Sequence, residues 1–206
     1  RKMYGREYNA RWLKALSGLR PAPFADLAQA STRLRQFAGE DSPYRTVARN
    51  LATYARIEFG DPDVRVLIPV DGAWIDDGLK AMVELQGAVE RFLGATQAGS
   101  RGKDAARLAE LCAAADKAKA AFEAAGGKLE NDQARDAATA CLMNVLEAVH
   151  RALGADLGSE VDRAWAAEVA RPFAEQLAGK FPFDPKAAVD APLPAVAKLW
   201  NPKSGA

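Results

Sequence analysis

The chain has 206 residues, with 28 Lys and Arg against 27 Asp and Glu. The charges are interspersed along the sequence, which excludes the basic tract that nucleic acid or an anionic membrane surface would need. Hydrophobic residues make up 49%, but 45 residues are alanine, a composition that favours closely approaching helices over strands.

At this length about 70% of the unfolded surface becomes buried, enough for one or two helical cores. Tyr4, Tyr8, Trp12 and Leu16 recur at four-residue steps, with Leu13 and Leu19 widening the stripe, and predict a first helix ended by Pro21 and Pro23. Phe24, Leu27, Leu34 and Phe37 predict a second, closed near Gly39. At Asp41-Ser42-Pro43 the Ser42 hydroxyl suits an N-cap and Pro43 the first helical position, so a third helix follows with Tyr44, Val47, Leu51 and Tyr54. Val64, Val66, Leu67, Ile68 and Val70 form the only strand-like stretch, and without a partner strand it reads as an extended connector.

From Asp76 a fourth helix places Leu79, Met82, Val83, Val89, Phe92 and Leu93 inward. A loop at residues 98–102 precedes two alanine-rich helices, about 103–124 and 132–153, which the short link at 125–128 makes an antiparallel hairpin. Gly154 and Gly158 are expected to break the pattern, with Ser159 capping a further helix that carries Val161, Trp165, Val169, Phe173 and Leu177. In that reading Trp165 anchors a core. Gly179 ends the helix, Phe181-Pro182-Phe183-Asp184 runs extended with at least one ring folded back on the bundle, and a short helix closes the chain. The predicted fold is all-α: a bundle of about seven helices with short loops and an extended C-terminal exit. Two subdomains are expected, 1–97 and 98–206, or one continuous domain.

Chemistry-bearing patterns are sparse. Glu147 and His150 have the Glu-x-x-His spacing of di-iron bundles, but His150 is the only histidine, and such a site needs the motif twice with two further glutamates. The same scarcity argues against Ser-His-Asp and Cys-His catalysis, and no nucleophile elbow is present. Gly99-Ser100-Arg101-Gly102-Lys103 has the composition of a phosphate loop without its spacing. No catalytic, metal or cofactor residue is therefore assigned. The aromatic stripe Tyr4, Tyr8 and Trp12 reads as a core seam in preference to a partner groove. Two cysteines are too few for a disulfide framework. Cys112 lies 16 residues before Lys128 and Cys141 13 after it, nearly level across the hairpin, which predicts two buried free thiols in or near contact.

The order of a tryptophan-bearing helix with Trp165 and Val169, a Phe181-Pro182-Phe183 exit, Asp190 and Leu199-Trp200-Asn201-Pro202 resembles the IcmF/TssM family, the large inner-membrane component of type VI secretion systems. Tyr4, Tyr8, Trp12 and Leu13 look like that family's tyrosine and tryptophan helix after its inner-membrane spans, and Ser42-Pro43 like its "SP" helix start. Ala195 departs from the pattern where relatives often have a second aspartate. The resemblance implies an excised periplasmic helical region of a longer inner-membrane protein, without catalysis or cofactor. Its implied partners are other membrane-core subunits, among them an outer-membrane lipoprotein met through a downstream domain, with no nucleic acid and no membrane insertion by this segment. A helical adaptor with a groove for a partner helix is the alternative, and a metal or small-molecule enzyme a more distant one. No run approaches the roughly 20 apolar residues of a membrane span.

Overall fold

The structure, a computed structural model, describes residues 2–54, 73–95, 104–129 and 131–200. The Val64 to Val70 connector and the loop at 98–102 lie outside them. Every regular element among the described residues is helical: α1 Lys2–Ser17, α2 Leu27–Ala38, α3 Pro43–Tyr54, α4 Ala73–Ala95, α5 Ala105–Gly127, α6 Asp132–Trp165, a π-helical turn Ala166–Ala170, α7 Arg171–Gln176 and α8 Leu193–Trp200. The protein is all-α, as its composition and periodicity predict.

Side-chain caps set several helix starts. Asp26 accepts the Gln29 N–H at 2.7 Å before α2, Asp104 the Arg107 N–H at 3.0 Å before α5, and Asn131 the Ala134 N–H at 3.0 Å before α6. Each satisfies one donor that the first helical turn leaves without a partner. Ser42 does the same for α3, its hydroxyl accepting from Tyr44 N–H at 3.2 Å and Arg45 N–H at 3.4 Å. Gly154 and Gly158 do not interrupt the chain, since α6 runs through both. Each costs about 1 kcal/mol of helix propensity relative to alanine, less than breaking a hydrogen-bonded rod would. Ser159 therefore sits mid-helix and not at a helix start.

The chain divides into two compact units, Arg1–Asp156 and Leu157–Ala206. The loop-based boundary at 97/98 falls instead inside the first unit, because α4 packs along α5 on one side and α2 on the other. Leu27 and Leu34 of α2, Leu79, Met82, Leu85 and Val89 of α4, Phe122 of α5 and Leu142 and Val145 of α6 are almost wholly buried in one core. Val83, expected inside, is 52% exposed, at the edge of the stripe that Met82, Leu85 and Val89 bury.

Small residues let the helices close up. A Cβ at Gly126 would lie 2.0 Å from Thr139 Oγ1 and 3.1 Å from the Arg135 carbonyl, and one at Gly78 would lie 2.9 Å from a Leu142 methyl. The α2–α4 seam is polar at one level: Gln86 Nε2 donates to Ser31 Oγ at 3.3 Å, Ser31 Oγ donates to Glu90 at 3.5 Å, and Arg35 closes on the same Glu90 oxygen.

Candidate functional site

In α1 the edge of Tyr8 meets Trp12, with centroids 6.3 Å apart at 71°, and both rings are half-buried. Tyr4 lies in α1, but its side chain is outside the described residues. The buried face of α1 is Asn9, Leu13 and Leu16, not the aromatic stripe itself. A strict four-residue step advances about 40° beyond a full turn, so Leu16 stands about 120° round from Tyr4 and the series reaches the core-facing side only at Leu16. Mixed steps of three and four, as in 9, 13 and 16, hold one face.

Asn144 of α6, 6% exposed, donates through Nδ2 to the Ser17 carbonyl at 3.2 Å and the Leu19 carbonyl at 2.8 Å. It caps the end of α1 from a distant part of the chain, satisfying carbonyls that a helix C-terminus leaves open. Sequence reasoning passed over this residue. The available signal was one amide in the otherwise apolar run Cys141-Leu142-Met143-Asn144-Val145-Leu146.

Ser42 is fully buried at the start of α3, with Pro43 at its first helical position. Phe37 stacks edge-on against Tyr44 at 5.3 Å and tilts against Phe24 at 6.4 Å. The Tyr44 hydroxyl lies within electrostatic range of the Cys141 thiol, and burial is the main cause raising its pKa well above the usual tyrosine value. Burial likewise pushes the Cys141 thiol up to about 12. Cys112 is exposed. Both thiols are free, but the expected buried pair is not formed: near-equal height across a hairpin does not fix azimuth, and Cys141 turns into the core while Cys112 points to solvent.

Two adjacent carboxylates tie the start of α4 to its neighbours. Asp76 pairs with Arg45 of α3, and Asp77 with Lys128 just after α5 and with Lys80 at 3.3 Å. The hydrogen bond from Lys128, seconded by that from Lys80, holds the Asp77 carboxyl below its ordinary range. All these side chains are at least partly exposed, so the pairs orient helix ends more than they stabilise them.

The C-terminal unit holds the other motif residues. Trp165 is 60% exposed and Val161 66%, so Trp165 is not a core anchor. The fold-back reaches only the downstream part of this helix, where Leu177 is fully buried and the Phe183 ring meets Phe173 edge-on at 5.3 Å. Phe183 also stacks on Trp200 at 5.5 Å and 21°. Of the two exit rings, then, Phe183 packs and Phe181 remains exposed. Phe181 contributes through its backbone instead, donating to the Val189 carbonyl at 3.0 Å and accepting from the Ala191 N–H at 2.9 Å. These bonds bring Phe181 alongside Asp190, whose side chain is exposed. Pro182 follows a cis peptide bond. Gly179 adopts φ 71°, the left-handed conformation that ends α7 without a Cβ penalty.

Among the described residues no group of three or more His, Cys, Asp or Glu is arranged to hold a metal ion. His150 is exposed, and Glu147 pairs with Arg151 at 3.6 Å. Among the described residues the first unit holds an aromatic helix and a buried cap and the second a fold-back hairpin, and neither shows a convergent acid, base and nucleophile.

The model of the family described as "IcmF-related: Intracellular multiplication and human macrophage-killing" matches residues 1–55. The first 55 residues are similar to that family. The match takes in all of α1, α2 and α3, hence Tyr4, Tyr8, Trp12, Ser42 and Pro43, and stops before Trp165, Phe181, Pro182, Phe183, Asp190 and Trp200. The chain matches no curated protein and no solved structure. No described helix is long and apolar enough to cross a membrane.

Proposed function

We propose that the chain is a structural scaffold module of a type VI secretion membrane complex. In this reading it is a periplasmic helical region that links inner-membrane spans to a lipoprotein-binding end and has no catalysis of its own. The observation that carries the reading is the IcmF-related match over residues 1–55. Its helices are part of a larger packed unit: α2 lies on α4, Arg45 of α3 holds Asp76, and the end of α1 is capped by Asn144. The long elements of that unit suit the holding of a fixed separation, α4 and α5 having 23 residues each, or about 34 Å of helix apiece. Partners would be other secretion membrane-core subunits, met without nucleic acid, cofactor or direct insertion of this segment into the bilayer.

Fractionation of the full-length protein, combined with protease accessibility from the periplasmic side, tests the reading. The expected result is an inner-membrane protein whose segment corresponding to residues 1–206 is cut only when the outer membrane is opened. Protection of that segment in such spheroplasts, with cleavage only after the inner membrane is lysed, would overturn the periplasmic assignment.

A further inference from the structure

The helix that α6 begins does not continue in α geometry. At Ala166–Ala170 it widens into a π turn, in which the Arg171 N–H reaches back five residues to the Ala166 carbonyl. Pro172 follows within the first turn of α7. Proline has no N–H to give the carbonyl four residues earlier, that of Glu168, and in α geometry its ring collides with that carbonyl. A π turn relieves the collision by admitting one extra residue.

The extra residue changes which side chains share a face. On an uninterrupted α-helix Phe173 would stand about 80° and Leu177 about 120° round from Trp165. One inserted residue removes about 100° from each, leaving both within about 20° of Trp165. Val161 lies one turn upstream, within about 40° of the same line. Thus the turn makes a single apolar stripe of two segments that would otherwise face apart: an upstream half, Val161 and Trp165, that is exposed, and a downstream half, Phe173 and Leu177, that is covered.

We infer that Pro172 is a phase-setting residue, which imposes the π turn and thereby aligns Val161 and Trp165 with Phe173 and Leu177. The claim concerns only the C-terminal unit and stands independently of the secretion reading.

Spin labels on the full chain test it, in a background carrying Cys112→Ser and Cys141→Ala with labels attached through Asp162→Cys and Ala174→Cys. With the π turn these exposed positions lie within about 20° of each other round the helix, and without it about 120° apart. Pro172→Ala is expected to lengthen the label separation by roughly 5 to 10 Å. Deleting Ala167 in addition removes the inserted residue and is expected to return the separation to its original value. An unchanged distance in Pro172→Ala overturns the inference, as does a double variant that fails to restore it. If Pro172→Ala alone does not fold, the double variant decides in the same way.

Discussion

The two compact units solve the burial of apolar surface in opposite ways. Among the described residues, all of the buried hydrophobic core lies in Arg1–Asp156 except Leu177 and Ala191. The exposed large hydrophobics are distributed the other way: Val161, Trp165, Phe181, Val189, Leu193 and Trp200 belong to Leu157–Ala206, and Val83 alone to the first unit. An alanine-rich sequence explains the first pattern, since small side chains let α4, α5 and α6 approach until a few large residues such as Trp74, Phe92 and Phe122 fill the remaining space. The second unit is held by ring stacking and backbone hydrogen bonds at its surface. The difference teaches that apolar content alone does not locate a core: Val161 and Trp165 stand exposed, while Leu177 further along is fully buried.

The sharpest way to break this comparison is to truncate one large residue in each unit. Phe122 is fully buried, and Phe122→Ala is expected to cost about 3 to 5 kcal/mol, read as a lowered urea midpoint. A loss under about 1 kcal/mol would mean that the first unit's core is loosely packed. Asn144→Ala tests how firmly the first unit's helix ends are held. Removing the donor leaves the Ser17 and Leu19 carbonyls facing a partly buried site, at about 1 to 3 kcal/mol. Hydrogen exchange should accelerate at the end of α1 before it does in α4.

Alkaline pH sharpens the comparison through a buried thiol. Cys141 titrates near 9.0 when unfolded and is pushed up to about 12 in the fold, so between those values the unfolded chain has lost a proton that the folded chain keeps. The unfolded state is favoured as pH rises, and the contribution of this thiol, complete below about pH 9, is lost progressively up to about pH 12. Wild type is therefore expected to lose about 1 kcal/mol more than Cys141→Ala between pH 8 and 10, with the Tyr44 contribution of the same sign common to both. Equal losses would show that the thiol is not held from solvent. The smallest effect belongs to Trp165→Ala, expected within about 0.5 kcal/mol of wild type because the ring is exposed. A cost of several kcal/mol there would erase the contrast between the units.

Much of the fold was legible where local chemistry acts alone. Ser42 and Pro43 announce α3 because a cap and a fixed φ need no tertiary partner, and the alanine-rich stretches announce α5 and α6 by propensity. Three features were hidden for one reason each. Gly154 and Gly158 suggested a break, but a long helix carries two weak residues. The four-residue aromatic series of α1 counted turns without their drift of about 40° per step, so its buried face falls on Asn9, Leu13 and Leu16. Cys112 and Cys141 were paired by height, while burial depends on azimuth, which the hairpin link does not set. Of the motif residues, Ser42 was foreseen as a cap and one of Phe181 and Phe183 as packed, but which ring packs, like the exposure of Trp165, depends on how far the fold-back extends. Pro172 was passed over, although a proline inside that helix leaves the carbonyl four residues before it without an N–H.

The polar part of the α2–α4 seam constrains the segment that the family model matches. Ser31, Gln86, Glu90 and Arg35 interlock over about one helical turn, so sliding α2 by one turn, about 5.4 Å, would break the buried bond from Gln86 to Ser31. An apolar seam of equal volume would be comparably stable and would tolerate several registers. The interlock works as a key: it admits one alignment of the family-matched helices on the remainder of the chain, and homologous exchange of residues 1–55 should succeed only where the incoming α2 brings a hydroxyl or amide to the level of Ser31.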